Sequence, residues 1–263
     1  MADTHSAVAG GSAPLNQPGP PGGDGGQWTG GFPTVLAHLL ATVHPLGGHR
    51  VPRVGVIVIA AELATARTRL APLPDLVRGM GGRIGMAVPL ATGTPAAEVW
   101  RTGHAGSDLL LVSADEPQVA GTLLTPALDP ELTCRWHRPA GAPVLSVPAD
   151  PERAELALAL LAWPILRVMS GNAERFPRTI VARSARALRS PAGLRSLVPT
   201  TLACQPEGGS ARLGPVTAHP RGQAPPGAFQ APGWLVIPEA VTAVAAGERC
   251  AVLLAPGRGL ISS

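Results

Sequence analysis

Val54-Gly-Val-Ile-Val-Ile59 is an unbroken apolar run rich in β-branched residues, and two others follow it, Ile84 to Val88 and Asp108-Leu-Leu-Leu-Val112. Short runs without polar alternation read as strands buried on both faces. Between the first two, Pro74 to Met80 reads as a helix stopped by Gly81-Gly82. Between the second and third, Pro95 to His104 reads as a helix begun by Thr94 and ended by Gly106. Strand and helix alternating in this way predict a parallel sheet covered on both faces. Pro143 to Val147 is a further strand. After it, Asp150-Pro151 supplies an N-cap and a proline at the first helical position, opening a helix that runs to about Met169 before Gly171.

Working outward, the two flanks differ from this centre. Upstream, Leu36, Leu39, Leu40 and Val43 recur at helical spacing, and Gly47-Gly48 breaks the segment. Residues 1–30 contain Pro18-Gly-Pro-Pro-Gly-Gly23 and similar stretches, which bury too little apolar surface to offset chain entropy, and are expected to be a disordered tail. Downstream, Thr179 to Ala182, Leu197-Val198, Arg212 to Val216, Trp234 to Ile237 and Cys250 to Leu254 read as short strands between Gly/Pro turns, an antiparallel barrel or sandwich. The expected domains are the tail at 1–30, an α/β domain at 31–172 and a small β domain at 178–256.

Composition narrows the function. The formal net charge of +4 is modest for a nucleic-acid binder of 263 residues, and aromatic residues at 3% leave no stacking surface for single strands. Eight arginines and one acid, Glu207, fall between Arg175 and Arg221, yet a solvated arginine face explains such a run without nucleic acid. Cys134, Cys204 and Cys250 lie far apart, so neither a disulfide framework nor a complete zinc site is indicated, although Cys134 and His137 stand at ligand spacing. The N-terminus lacks a basic region followed by an apolar stretch, and Leu156 to Ile165 is too short to span a bilayer. A soluble, reducing, cytoplasmic setting is expected. No P-loop, GxSxG or GxGxxG stands at a strand-to-helix junction, so kinase, hydrolase and dehydrogenase readings have no motif.

The segment Gly233-Trp-Leu-Val-Ile-Pro-Glu239, continued by Val244-Ala-Ala-Gly-Glu248 and Cys250-Ala-Val-Leu-Leu254, resembles the closing segment of the molybdopterin molybdenumtransferase family, which includes the C-terminal region of gephyrin. Val147-Pro-Ala-Asp-Pro151 and the helix ending Trp163-Pro-Ile-Leu-Arg-Val-Met-Ser-Gly171 are similar to that family's leu-pro-gly-asn-pro loop and the helix after it. The likeness spans about residues 50 to 256, and members of the family usually carry two further N-terminal domains, so the chain reads as a truncated, motif-degenerate member. The resemblance implies a three-layer molybdopterin-binding-type α/β domain followed by a small β domain. It also implies a role in molybdenum cofactor biosynthesis, with molybdopterin or its adenylate as ligand and magnesium and molybdate as cofactors. A homodimer or a biosynthetic partner protein would complete the site.

Three family loops shape that site, and each is altered here. The ser-thr-gly-asp-glu-leu loop corresponds to Val58-Ile-Ala-Ala-Glu-Leu63, which keeps Glu62 alone of the paired acids a hard cation needs. The ser-gly-gly-val-ser loop corresponds to Ser113-Ala-Asp-Glu-Pro117, where Ala114 adds a Cβ and Asp115 a negative charge beside an expected phosphate. The third loop becomes Pro148-Ala-Asp-Pro151. By resemblance, Glu62 and Asp150 are the catalytic and metal-facing carboxylates, and Ser113, Asp115, Arg195 and Arg221 the ligand-binding residues. Glu62 is equally readable as a helix-start residue, Asp150 as a helix N-cap, and the two arginines as a solvated face. Two functions follow: a molybdate-inserting protein of reduced or no catalytic activity, or a non-catalytic paralogue that binds or regulates a partner.

Overall fold

The structure, a computed structural model, describes residues 36, 37, 39–94, 97–115, 122–123, 134–137, 141–172, 178–204, 214–226, 228–256 and 261–262. The expected tail at 1–30 lies outside the described residues, as do His38 and the anticipated helix start at Pro95. Among the described residues, β1 (Arg53–Ala60), β2 (Arg83–Ala91), β3 (Leu109–Ala114), β4 (Thr122–Leu123), β5 (Arg135–His137) and β6 (Val144–Pro148) form one sheet in the order β2-β1-β3-β6-β5-β4. The first four strands in that order are parallel; at the far edge β5 runs antiparallel to β6, and β4 antiparallel to β5.

Side-chain alternation assigns the two faces of the sheet. Val54, Val56 and Val58 of β1 and Leu109 and Leu111 of β3 share one core cluster with Ala66, Leu73 and Val77. Those three come from the helices Leu63–Leu70 and Leu73–Gly79. Ile57, Ile59, Leu110 and Val112 point the other way, against Val99 and Trp100 of the helix Ala97–Gly106. The runs have no polar alternation because both faces are covered, and each large side chain so buried contributes about 2 kcal/mol. The chain steps from β1 outward to β2 and then across β1 to β3, and its covering helices change face at that reversal, as right-handed crossovers require. The helix Leu63–Leu70 begins directly after Glu62, as that residue's reading as a helix start allows, but the sequence marks no extent for it. Only Ala66 is buried on it, so it carries little apolar periodicity.

After β6 the chain enters the helix Pro151–Ala157, passes a π-helical turn at Leu158–Ala162 and continues as Trp163–Met169. Pro164 offers no N–H and its ring would crowd a carbonyl of the preceding turn. The π turn just before it, where Trp163 N–H reaches Leu158 O, widens the helix there and keeps it continuous.

The second unit comprises β7 (Thr179–Ser184), β8 (Leu188–Arg189), β9 (Ser196–Cys204), β10 (Thr217–Pro220), β11 (Phe229–Ile237), β12 (Ala243–Val244), β13 (Arg249–Leu254) and β14 (Ile261–Ser262). Among the described residues, β13-β7-β10-β9-β11 closes on itself through a β11–β13 pairing, giving a five-stranded barrel in which β7 and β10 are parallel and the other pairs antiparallel. Closure removes the free edges a sandwich would keep. Gly233 sits where it does because a Cβ there would stand 2.6 Å from Leu253 O across the closing pair. The strand expected at Arg212 to Val216 is displaced. Arg212 and Leu213 lie outside the described residues, Gly214 to Val216 are not in a strand, and β10 begins at Thr217, past the donor gap at Pro215.

The barrel has two apolar surfaces. Leu202, Ala231, Leu235, Ile237 and Val252 form its interior. Trp234, Val236, Leu253 and Ala255 belong instead to the cluster that contains Leu160, Ile165 and Leu166 of the long helix. One wall of the barrel is thus part of the α/β core.

Candidate functional site

The sheet's topological switch point lies between β1 and β3, and open α/β sheets bind ligands outside the carboxyl ends of their strands at that place. A cleft of about 330 Å³ opens here. One wall is Arg69, Pro72, Leu73 and Leu76 from the two helices after β1, with Ser113 from the end of β3. The opposite wall is Ala149, Pro151, Glu152, Ala154 and Glu155 at the start of the helix after β6. Arg221, on the turn after β10, and Pro232 of β11 close it from the barrel side. Its volume suits a small organic molecule.

The charges in the cleft are already paired. Arg69 Nη1 lies 2.7 Å from Asp115 Oδ1, and Arg221 lies 3.0 Å from Glu155 Oε2 and 3.5 Å from Glu152 Oε1. Three carboxylates therefore face two guanidinium groups. Ser113 is buried, and its Oγ donates to Pro148 O at 3.1 Å, so a ligand would meet its acceptor lone pairs.

Of the residues expected from sequence, the structure brings Ser113 and Arg221 into the cleft, with Asp115 held beside it by Arg69. Asp150 is the N-cap of the helix Pro151–Ala157, its Oδ1 accepting from Arg153 N–H at 2.9 Å. Glu62 is exposed and stands at the N-cap of the helix Leu63–Leu70 without a side-chain capping bond. Arg195 is buried within the barrel unit, 3.0 Å from Glu239 Oε2, and is not among the cleft-lining residues. That pair and the bond from Gly193 N–H to Glu239 O fasten the turn before β9 to the one after β11. Sequence reasoning missed Arg69, Glu152 and Glu155. The last two stand three apart at a helix start, a spacing that puts both on one face, but nothing in the sequence pairs them with Arg221.

The donors do not fit magnesium. That ion demands near-octahedral oxygen coordination, whereas Asp150 is engaged as a cap, and the cleft carboxylates are engaged by arginines. Among the described residues no group of three or more His, Cys, Asp or Glu is placed to hold a metal ion. Cys134 is fully buried and burial pushes its thiol far above the usual range, which opposes the thiolate a zinc ligand needs, and His137 on β5 is exposed. Among the described residues no helix is long and apolar enough to cross a membrane.

A parallel sheet with its cleft at the switch point, walled on one side by a small closed barrel, defines a two-domain α/β-plus-barrel class of protein. Three solved structures share this build. The chain is similar to a molybdenum cofactor biosynthesis protein from Pyrococcus furiosus, with a TM-score of 0.52 and 16% identity over 78% of this chain and 68% of that one. It is also similar to the molybdopterin biosynthesis moeA protein from Pyrococcus horikoshii in two structures, each with a TM-score of 0.52, at 16% and 18% identity over 78% and 80% of this chain. The chain spans 54% and 55% of the length of those two, and at such identities the likeness is one of fold. No sequence model of a known family matches the chain, and no curated protein matches it.

Proposed function

We propose that the chain acts in molybdenum cofactor biosynthesis by holding a molybdopterin-type ligand in the cleft between the sheet and the barrel. The observation that carries this reading is the composition of the cleft in its fold context. A pterin presents an edge of N–H donors and this ligand ends in a phosphate, so it asks for carboxylate acceptors and a cation within one small cleft. Glu152 and Glu155 supply the first and Arg221 and Arg69 the second. Molybdate insertion through magnesium is the finer reading that the resemblance implies, and the donor set argues against it, since neither Glu62 nor Asp150 stands in a ligand cluster.

The role we favour is therefore binding without metal-dependent turnover. Calorimetric titration of the purified chain with molybdopterin, with and without magnesium and molybdate, tests both parts. Micromolar binding indifferent to magnesium is expected. Binding that tightens with magnesium and is lost in Glu62→Ala would reinstate the enzyme. No binding under any condition would leave the scaffold alternative, in which the three altered loops serve a protein partner.

A further inference from the structure

Every guanidinium that lines the cleft is held by a carboxylate of this chain, and the two walls hold theirs differently. Arg69 and Asp115 are neighbours across one wall, joined by a contact in which Asp115 is half exposed. Arg221 comes from the barrel and reaches across the cleft to Glu155, whose side chain is only 17% exposed, and to Glu152, which is 51% exposed. The turn that presents Arg221 is fixed by Gly222, in the left-handed region at φ 76°, whose N–H donates to Thr201 Oγ1 at 3.1 Å. An arginine fork binds carboxylate and phosphate with the same geometry, so whatever occupies it first competes with what arrives later.

We propose that Glu155, assisted by Glu152, is a resident counter-ion that a ligand's phosphate-class oxyanion must displace from Arg221, and that this internal competition sets the anion selectivity of the cleft. The inference rests on the cleft being the ligand site of the proposed function. Displacement leaves Glu155 free to accept from the donor edge of the same ligand, so a molecule with both an oxyanion and N–H donors recovers what it disrupts. A bare anion does not, because it leaves a shielded carboxylate without a partner. Glu155 outweighs Glu152 because its charge is closer to Arg221 and less screened by water.

Titration calorimetry of the full chain at low salt, with inorganic phosphate and with glycerol 1-phosphate as probes, tests this. Glu155→Gln is expected to tighten both probes about fivefold and Glu152→Gln about twofold. Glu98→Gln, on the helix covering the other face of the sheet, is expected to change nothing. Tighter binding of the ester than of the free ion by the unchanged chain identifies the phosphate of an organic ligand, and equal affinities identify a free oxyanion. The proposal is overturned if Glu155→Gln binds the probes no better than the unchanged protein, if it binds neither, or if the gain survives Arg221→Gln in the same chain. Thermal unfolding of each variant guards against loss of fold. Molybdopterin titrated into the same set separates the two ideas. Tightened probes without molybdopterin binding remove the proposed function alone, whereas molybdopterin binding with unchanged probes removes the competition alone.

Discussion

The parallel sheet and the barrel bury similar kinds of residue in different ways. In β1 and β3 both faces are covered by helices of the same domain, so Val54 to Ala60 and Leu109 to Val112 run without polar alternation. In β11 and β13 one face fills the barrel, through Leu235, Ile237 and Val252. The other face, through Trp234, Val236 and Leu253, packs on the long helix of the α/β domain. The barrel is therefore not an appended module. Its outer wall supplies part of its neighbour's core, and separating the two would return that apolar surface to water. The cleft lies where the units meet, so its shape depends on this packing more than on the ion pairs across it.

The strongest way to break that comparison is Trp234→Ala. Trp234 is fully buried at the junction, and its removal is expected to cost about 4 kcal/mol and to lower both units in one cooperative transition, read by chemical denaturation with probes in each. Two separated transitions in the unchanged protein would show the units to be independent. Trp234→Phe is expected to cost about half as much, because it also removes a buried indole N–H that has no hydrogen-bond partner among the described residues.

Next in size is Gly233→Ala, whose Cβ would meet a backbone oxygen of β13 and press the barrel open at its closing pair. About 2 kcal/mol is expected from the same denaturation series, with the loss felt across both units. Asp150→Ala should cost about 1 kcal/mol, with Asp150→Asn recovering most of it, since either side chain caps the helix. If asparagine is as costly as alanine, the carboxylate has a task beyond capping. The smallest effect is expected from Arg221→Gln, about 0.5 kcal/mol and shrinking with added salt, since the pair it breaks is partly exposed. A loss as large as that of Trp234→Ala would mean that charge, not packing, joins the units.

Much of this organisation was legible in the chain. The strands β1, β3 and β6 and the long helix after Asp150 followed from local rules alone, because burial on two faces and a capping motif leave their marks in consecutive residues. β10 is displaced from its expected place, and the helix Leu63–Leu70 is marked only at its start by Glu62, for the converse reason, since one is four residues long and the other buries a single alanine. The candidate site was half legible. Ser113 and Arg221 were anticipated, while Glu152, Glu155 and Arg69 carry no motif.

The sequence by itself determined the alternation of strand and helix, the helix cap at Asp150 and the apolar grammar of the closing strands, since each depends on neighbours within a few residues. Only the tertiary structure decided that the second unit closes as a barrel, that its outer wall completes the first core, and that Arg221 meets Glu152 and Glu155 across a cleft. Those pairings join residues tens of positions apart. They exist because two apolar surfaces were buried together, and no local rule specifies which charges such burial brings face to face.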